Sequence, residues 1–232
     1  MKLKDAKIQQ TGFKLVQAGE PGAGKTYRAC SAARFGPIKV WDIDNKLIEL
    51  KNRLPKEWVD KIDVDVITTP EAFTKSIAEM HTYPKHFSTL VIDTLSRLYD
   101  RAVEKVRAQN PKGDGRQIYG VAYGENKQLL PQILSLPMNI IINAHVGMET
   151  MEDGTQKLTS STAGKFGKEV PEFVNEVHYC YLNIANKHKV RGEPASNVVA
   201  RTVCDKKLLD AQGIFLTEDL SIFDDRAYRI SE

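Results

Sequence analysis

Eight consecutive residues, Gly19-Glu20-Pro21-Gly22-Ala23-Gly24-Lys25-Thr26, satisfy G-x-x-x-x-G-K-[ST] without a mismatch. Glycines let successive backbone N–H groups face one anion, and a helix that starts at the same point adds its partial positive charge. In such a cradle Lys25 reaches the β- and γ-phosphates and the Thr26 hydroxyl ligates Mg²⁺. Gly19 to Tyr27 is the expected nucleotide-binding stretch. Residues 13–18 (FKLVQA) read as a strand, and residues 27–33 (YRACSAA) read as the opening of a helix. Strand, glycine loop and helix together separate a phosphate cradle from a glycine-rich turn that binds nothing.

A second acid completes the pattern. Leu90-Val91-Ile92-Asp93 is an apolar strand ending in Asp93, the expected partner of Mg²⁺. An Asp capping the following helix is the competing reading, and both can hold at once. In AAA+ proteins and many helicases a Glu follows this Asp and activates water, whereas here Thr94 follows. The general base must then come from elsewhere. The candidate is the acidic end of the second strand, Trp41-Asp42-Ile43-Asp44. Period-two alternation puts Asp42 and Asp44 on one side, so that one serves as base and the other supports it, with Asp44 the candidate base. Two acids capping the turn into residues 45–50 is the alternative.

The elements that must position these residues alternate. Strands are expected at 13–18, 38–44, 62–67, 89–93 and 138–145, with late strands at 176–184 and 198–203. Helices are expected after the glycine loop, at 46–58 with an interruption at Pro55, at 70–80 with Thr69 as N-cap, at 96–107 and at 119–134. Residues 110–115 form a loop, and 147–165 are turn-rich with a hairpin tip at 151–154. Strands alternating with helices imply an α/β fold, a mostly parallel sheet with helices on both faces. Residues 1–11 read as a polar tail and 12–232 as a single domain.

Bulk properties exclude several classes. The 232 residues are 41% hydrophobic and 27% charged, ordinary for a soluble domain. No apolar run is long enough to span a bilayer, and the N-terminus lacks the apolar region of a signal peptide. Cys30, Cys180 and Cys204 are too scattered for a disulfide framework or zinc site, which fits a reducing cytoplasm. A net charge of +3 does not announce a nucleic-acid binder. Locally, residues 186–207 hold six Lys/Arg against two acids, and residues 101–127 hold six against three. A GTPase would show D-x-x-G after the third strand, where Asp93-Thr94-Leu95-Ser96 has no glycine, and N-K-x-D later; an ABC ATPase would show L-S-G-G-Q; neither of the last two occurs.

GEPGAGKT, VWDID, LVIDTLSRL and NIIINAH, in that order, resemble the RecA-like ATPase core. The closer resemblance is to small phage-encoded RecA-like ATP-binding proteins of single-strand annealing and recombination. QIYG at 117–120, NAH at 143–145 and GKEVPEF at 167–173 match the order of elements in that group. The resemblance spans about residues 12–208. It implies ATP with Mg²⁺, single-stranded DNA as a non-specific ligand, a homo-oligomeric ring or filament, and a single-strand-binding protein as partner. It places the second strand beside the P-loop strand, with the Asp44 tip facing the γ-phosphate. His145 falls at the strand tip that senses the γ-phosphate. Lys206 and Lys207 resemble the late basic pair inserted into a neighbour's ATP site, the logic of an arginine finger. DNA contact falls on the loops at about 108–118, with Arg107, Lys112 and Arg116 and Tyr119 at the edge, and 147–165, with Lys157 and Lys165 and Phe166 at the edge. Two other classes stay open: a nucleotide or metabolite kinase with residues 101–116 as its lid, and an ATP-binding loader or regulator of another protein.

Overall fold

The computed structural model describes residues 12–83, 85–150, 156–160 and 169–230, with backbone alone at 149, 156, 157, 159 and 160. Among these, seven strands form one sheet: β1 (Lys14–Gly19), β2 (Ile38–Asp42), β3 (Ile62–Val66), β4 (Thr89–Asp93), β5 (Asn139–Ala144), β8 (Glu176–Leu182) and β9 (His188–Arg191). Their spatial order is β3-β2-β4-β5-β1-β8-β9, parallel throughout except for the antiparallel edge strand β9. A separate antiparallel pair joins β6 (Val146–Thr150) to β7 (Gln156–Ser160).

Local chemistry explains the central elements. β4 and β5 are buried along their whole length, as Val- and Ile-rich parallel strands covered on both faces must be. α4 (Leu95–Gln109) buries Leu95, Leu98, Tyr99, Ala102, Val103 and Val106, the spacing of one apolar helical stripe. α3 (Pro70–Thr82) begins where Thr69 accepts a hydrogen bond from the Ala72 N–H at 3.2 Å, with Pro70 in the first turn. Together with α5 (Gly115–Leu134), these helices enclose one core with Val16, Ile92, Ile140 and Ile142 of the sheet. The opposite face packs Leu15, Val91 and Ile141 against α1 (Lys25–Cys30) and the late residues Phe215, Leu220 and Phe223.

The structure corrects several expected placements. β2 lies between β3 and β4, not beside β1; β4 and β5 intervene between it and the P-loop strand. The cause is β5, whose six buried residues pair in parallel with β1 on one edge and β4 on the other. Residues 198–203 form no strand. β9 takes the outer edge of β8 from Tyr179 onward, which leaves a single bridge between Val177 and Arg201. β9 itself, HKVR, hides in a basic run because only Val190 is buried, a pattern suited to a protected edge. The expected helix at 46–58 is a 3-10 segment (Leu47–Arg53) followed, after Pro55, by the short α2 (Lys56–Val59). α5 starts four residues early because Asp114 accepts from the Arg116 N–H at 3.2 Å. The expected hairpin tip at 151–154 and the tail at 1–11 lie outside the described residues.

Two substitutions test this layering by urea denaturation. Ile141→Ala, fully buried in the central strand, should cost about 2–5 kcal/mol. Thr69→Ala, which removes only a cap, should cost about 1 kcal/mol.

Candidate functional site

The C-terminal ends of the parallel strands converge on one cleft of about 680 Å³. The glycine loop leaves β1 and turns into α1 at Gly24, which has φ +83° and caps the helix without a side chain. A Cβ there would come within 2.8 Å of the His188 ring, so glycine is required by conformation and by space. Lys25 is buried, and its Nζ donates to the carbonyls of Gly19 (2.7 Å) and Glu20 (2.9 Å). Desolvation lowers its pKa, and the nearby carboxylates, Asp93 among them, oppose the shift. Pro21, Gly22, Ala23, Thr26 and Tyr27 line the same cleft. Tyr27 leans on Trp58, with ring centroids 5.8 Å apart.

Thr26 Oγ1 donates to Asp93 Oδ2 at 2.7 Å, joining the loop to the tip of β4 across the intervening β5. Burial raises the Asp93 pKa, the Thr26 and Asn143 side chains pull it back, and Asp42 pushes it up again. The two acids at the end of β2 are not equivalent. Asp42 is buried, and its Oδ2 accepts from the Leu47 N–H at 2.7 Å, so it holds the turn. Asp44 lies beyond the end of the strand and lines the cleft, with Lys46 at 3.9 Å. Arg101 of α4 fixes the backbone here, donating to Ile43 O (3.0 Å) and Thr68 O (2.8 Å). His145, just past β5, also lines the cleft; its N–H donates to Ser96 Oγ at 3.1 Å and its buried Nδ1 has no hydrogen-bond partner. Burial and then the Lys25 charge lower its pKa.

Beneath α1 runs a stripe of polar side chains that sequence reasoning missed: Gln17, Arg28, Asn143, Glu176 and His178, all buried. Gln17 stands opposite Asn143 on one neighbouring strand and His178 on the other. Its Nε2 donates to Asn143 Oδ1 at 2.9 Å, and its Oε1 accepts from Arg28. The second Arg28 arm reaches His178 Nδ1 at 3.1 Å, while His178 Nε2 meets Glu176 Oε2 at 2.9 Å. Arg226 closes the far end on Glu176 Oε1 at 2.7 Å. A signal for these residues existed. Polar side chains inside the apolar strands KLVQAG, NIIINA and EVHYCYL need buried partners.

Other expected site residues stay apart from the cleft. Lys206 and Lys207 sit on an exposed 3-10 turn capped by Asp205, and Lys206 Nζ is 3.9 Å from Glu193. Neither lines the cleft of its own chain. Arg107, Lys112, Arg116 and Tyr119 are exposed around the α4–α5 turn. Lys165 and Phe166 lie outside the described residues, and Lys157 is described by its backbone in β7.

A family model described as an AAA domain matches residues 11–204. The chain belongs to the AAA-domain family. Its architecture is that of a RecA-like P-loop NTPase, shared with an ATPase from the type III secretion system of pathogenic bacteria at a TM-score of 0.53 and 14% identity. That match covers 75% of this chain and 53% of the secretion ATPase, so the chain spans about half of that protein's length. A KaiC-like protein from the hyperthermophilic archaeon Pyrococcus horikoshii aligns over 88% of both chains, with 15% identity and a TM-score of 0.49. No curated protein matches the sequence. Within this AAA domain, Thr94 follows the acid at the tip of β4 and caps α4, accepting from the Arg97 N–H at 3.4 Å. Among the described residues no helix is long and apolar enough to cross a membrane.

The buried stripe gives the AAA domain a pH dependence. Burial holds His178 down to about 4 from 6.5, and contacts with His178, Thr202 and Arg226 hold Glu176 down to about 2 from 4.5 despite its burial. Between pH 6.5 and 4 the unfolded chain protonates the histidine while the folded chain does not, so stability falls with pH across that window. Glu176 adds a further loss from 4.5 downward. Urea midpoints at pH 7.5, 6 and 5 should fall in that order, and His178→Asn, which keeps an acceptor for Arg28, should flatten the decline above pH 4.5.

Proposed function

We propose that this AAA domain binds ATP with Mg²⁺ and hydrolyses it, in a phage-type RecA-like protein of DNA recombination or single-strand annealing that binds single-stranded DNA without sequence preference. The observation that carries the reading is the convergence of Lys25, Thr26, Asp93, Asp44 and His145 on one cleft. The donor set fits the ligand. A buried ammonium held only by carbonyls calls for an anion, and Thr26 with Asp93 offers hard oxygen ligands in contact. Among the described residues no group of three or more His, Cys, Asp or Glu side chains could hold a metal unaided, consistent with Mg²⁺ carried in on phosphate oxygens.

When bound, Mg²⁺ neutralises charge on the triphosphate and on the Asp93 carboxylate. Lys25 would orient the terminal phosphates, with the N–H groups of Gly24, Lys25 and Thr26 offered to them at the start of α1, while the Ala23 N–H is held by Glu20 O at 3.2 Å. Asp44 takes the proton from the attacking water, since Asp42 is committed to the Leu47 N–H. His145, poised neutral with an open Nδ1, reads the terminal phosphate. Lys206 and Lys207, remote from their own cleft, are offered to that of a neighbouring copy in a ring or filament. The exposed cations around the α4–α5 turn contact DNA phosphates.

Calorimetry with ATP should show binding abolished by Lys25→Ala. Asp44→Asn should leave binding intact and slow hydrolysis by roughly 10²–10⁴-fold; a normal rate would remove Asp44 from the base role. Hydrolysis should rise with single-stranded DNA and climb faster than linearly with protein concentration. Flat, DNA-indifferent turnover by a monomer would refute the recombination reading and favour a kinase or a loader.

A further inference from the structure

The polar stripe under α1 has a direction, and one end of it is open. Arg28 can only donate. Its contact with Gln17 therefore makes Oε1 the acceptor and turns the Gln17 Nε2 the other way. The carbonyl of Lys25, 3.4 Å from Nε2, requires the same orientation, because a carbonyl only accepts. Nε2 then donates to Asn143, whose Oδ1 must face it at 2.9 Å. What remains is Asn143 Nδ2. It is buried and has no partner at full hydrogen-bond geometry, but the Asn143 side chain reaches the Asp93 carboxylate closely enough to pull its pKa down. A buried amide donor without a fully formed bond is costly, by about 1–3 kcal/mol when wholly unpaired, so its retention calls for a reason.

We infer that Arg28, acting through Gln17, is a positioning residue that locks the Asn143 carboxamide with its N–H donors turned toward Asp93 and the phosphate end of the cleft. An asparagine amide can present either a donor or an acceptor, and two neighbours select between them. Asp93 demands a donor on one side, and on the other a permanent cation two side chains away fixes Gln17 as the donor that Asn143 must accept from. The opposite Arg28 arm works by the same rule. His178 Nδ1 must accept, so Nε2 carries the proton and gives its hydrogen bond to Glu176. One guanidinium thus sets the polarity of both halves of the stripe. An Asn143 turned the other way would set its carbonyl oxygen against the Asp93 carboxylate, where like partial charges repel.

This inference rests on the proposed triphosphate site for its consequence, and its test separates the two. In the nucleotide-free protein, a through-hydrogen-bond NMR coupling should run from the Gln17 side-chain N–H to the Asn143 side-chain carbonyl. A coupling in the reverse direction, or a donor from Asn143 to Gln17, overturns the inference whatever the protein binds. Gln17→Met and Asn143→Leu should each weaken a Mg²⁺-loaded, non-hydrolysable ATP analogue by about tenfold in calorimetry, the size of one lost hydrogen bond. The double variant should lose no more than either single one, since Gln17 acts only through Asn143. Additive losses, or an effect of Asn143→Leu without one of Gln17→Met, overturn the relay. Arg28→Lys, which keeps a donor toward Gln17, should retain the wild-type coupling direction. If the wild-type protein fails to bind the analogue at all, the functional reading falls and the NMR measurement alone decides the relay.

Discussion

Burying the Lys25 ammonium at the end of a parallel sheet is the constraint around which the cleft is arranged. Removing an ammonium from water is costly unless fixed dipoles and charges replace the lost hydration. Here the replacement comes from two carbonyls of the glycine loop, with Asp93 nearby, and the carbonyls point inward only because the loop turns tightly. The turn in turn needs Gly24 in a left-handed conformation and free of a side chain against His188. Since the ends of all the parallel strands meet on the same edge, Asp93, Asp44 and His145 arrive there from three different strands without any one segment having to bend toward the others.

The same face of the sheet carries the buried polar stripe, and its composition is unusual for the interior of a parallel sheet. Gln17, Asn143 and His178 occupy positions where apolar side chains would pack more cheaply. A buried network of this kind stabilises only when its members are satisfied, and then it specifies one arrangement. Within it, Asn143 Nδ2 is the donor without a fully formed bond, and it borders Asp93, a carboxylate that lines the cleft.

Membership of the AAA-domain family and the RecA-like architecture settle the type of protein, and the cleft shows how this chain departs from a common pattern. Thr94, in the position of the water-activating glutamate, is a helix cap. Among the acids that line the cleft, Asp44 sits in a loop held by Arg101 from α4 and by the Ile43 N–H bonded to Asp93 O at 2.7 Å. The two acids at the mouth of the sheet are therefore mechanically linked. A shift of α4 would move Asp44, and a shift of the β4 tip would move Asp93 with it.

The glycine loop, the acid-tipped strands and the alternation of strands with helices were legible in the sequence because they depend on local spacing: glycines where φ is positive, apolar runs where both faces are covered, Thr69 where a helix begins. The neighbour of each strand was not. That β5 stands between β1 and β4, and that β2 lies further out, depends on pairings between segments about fifty residues apart (β4 with β5, β2 with β4) or more than a hundred (β1 with β5), to which no local pattern refers. The division of labour between Asp42 and Asp44 was equally hidden, because period two treats them alike, and only the turn that brings the Leu47 N–H onto Asp42 tells them apart. Strand β9 was concealed by its cations, and Lys206 and Lys207 proved distant from the cleft of their own chain. The polar stripe belongs to the same class. Gln17, Arg28, Asn143, Glu176 and His178 are scattered over the chain, and what joins them is sheet register and the need of each buried polar atom for a partner, conditions that exist only once the chain has folded.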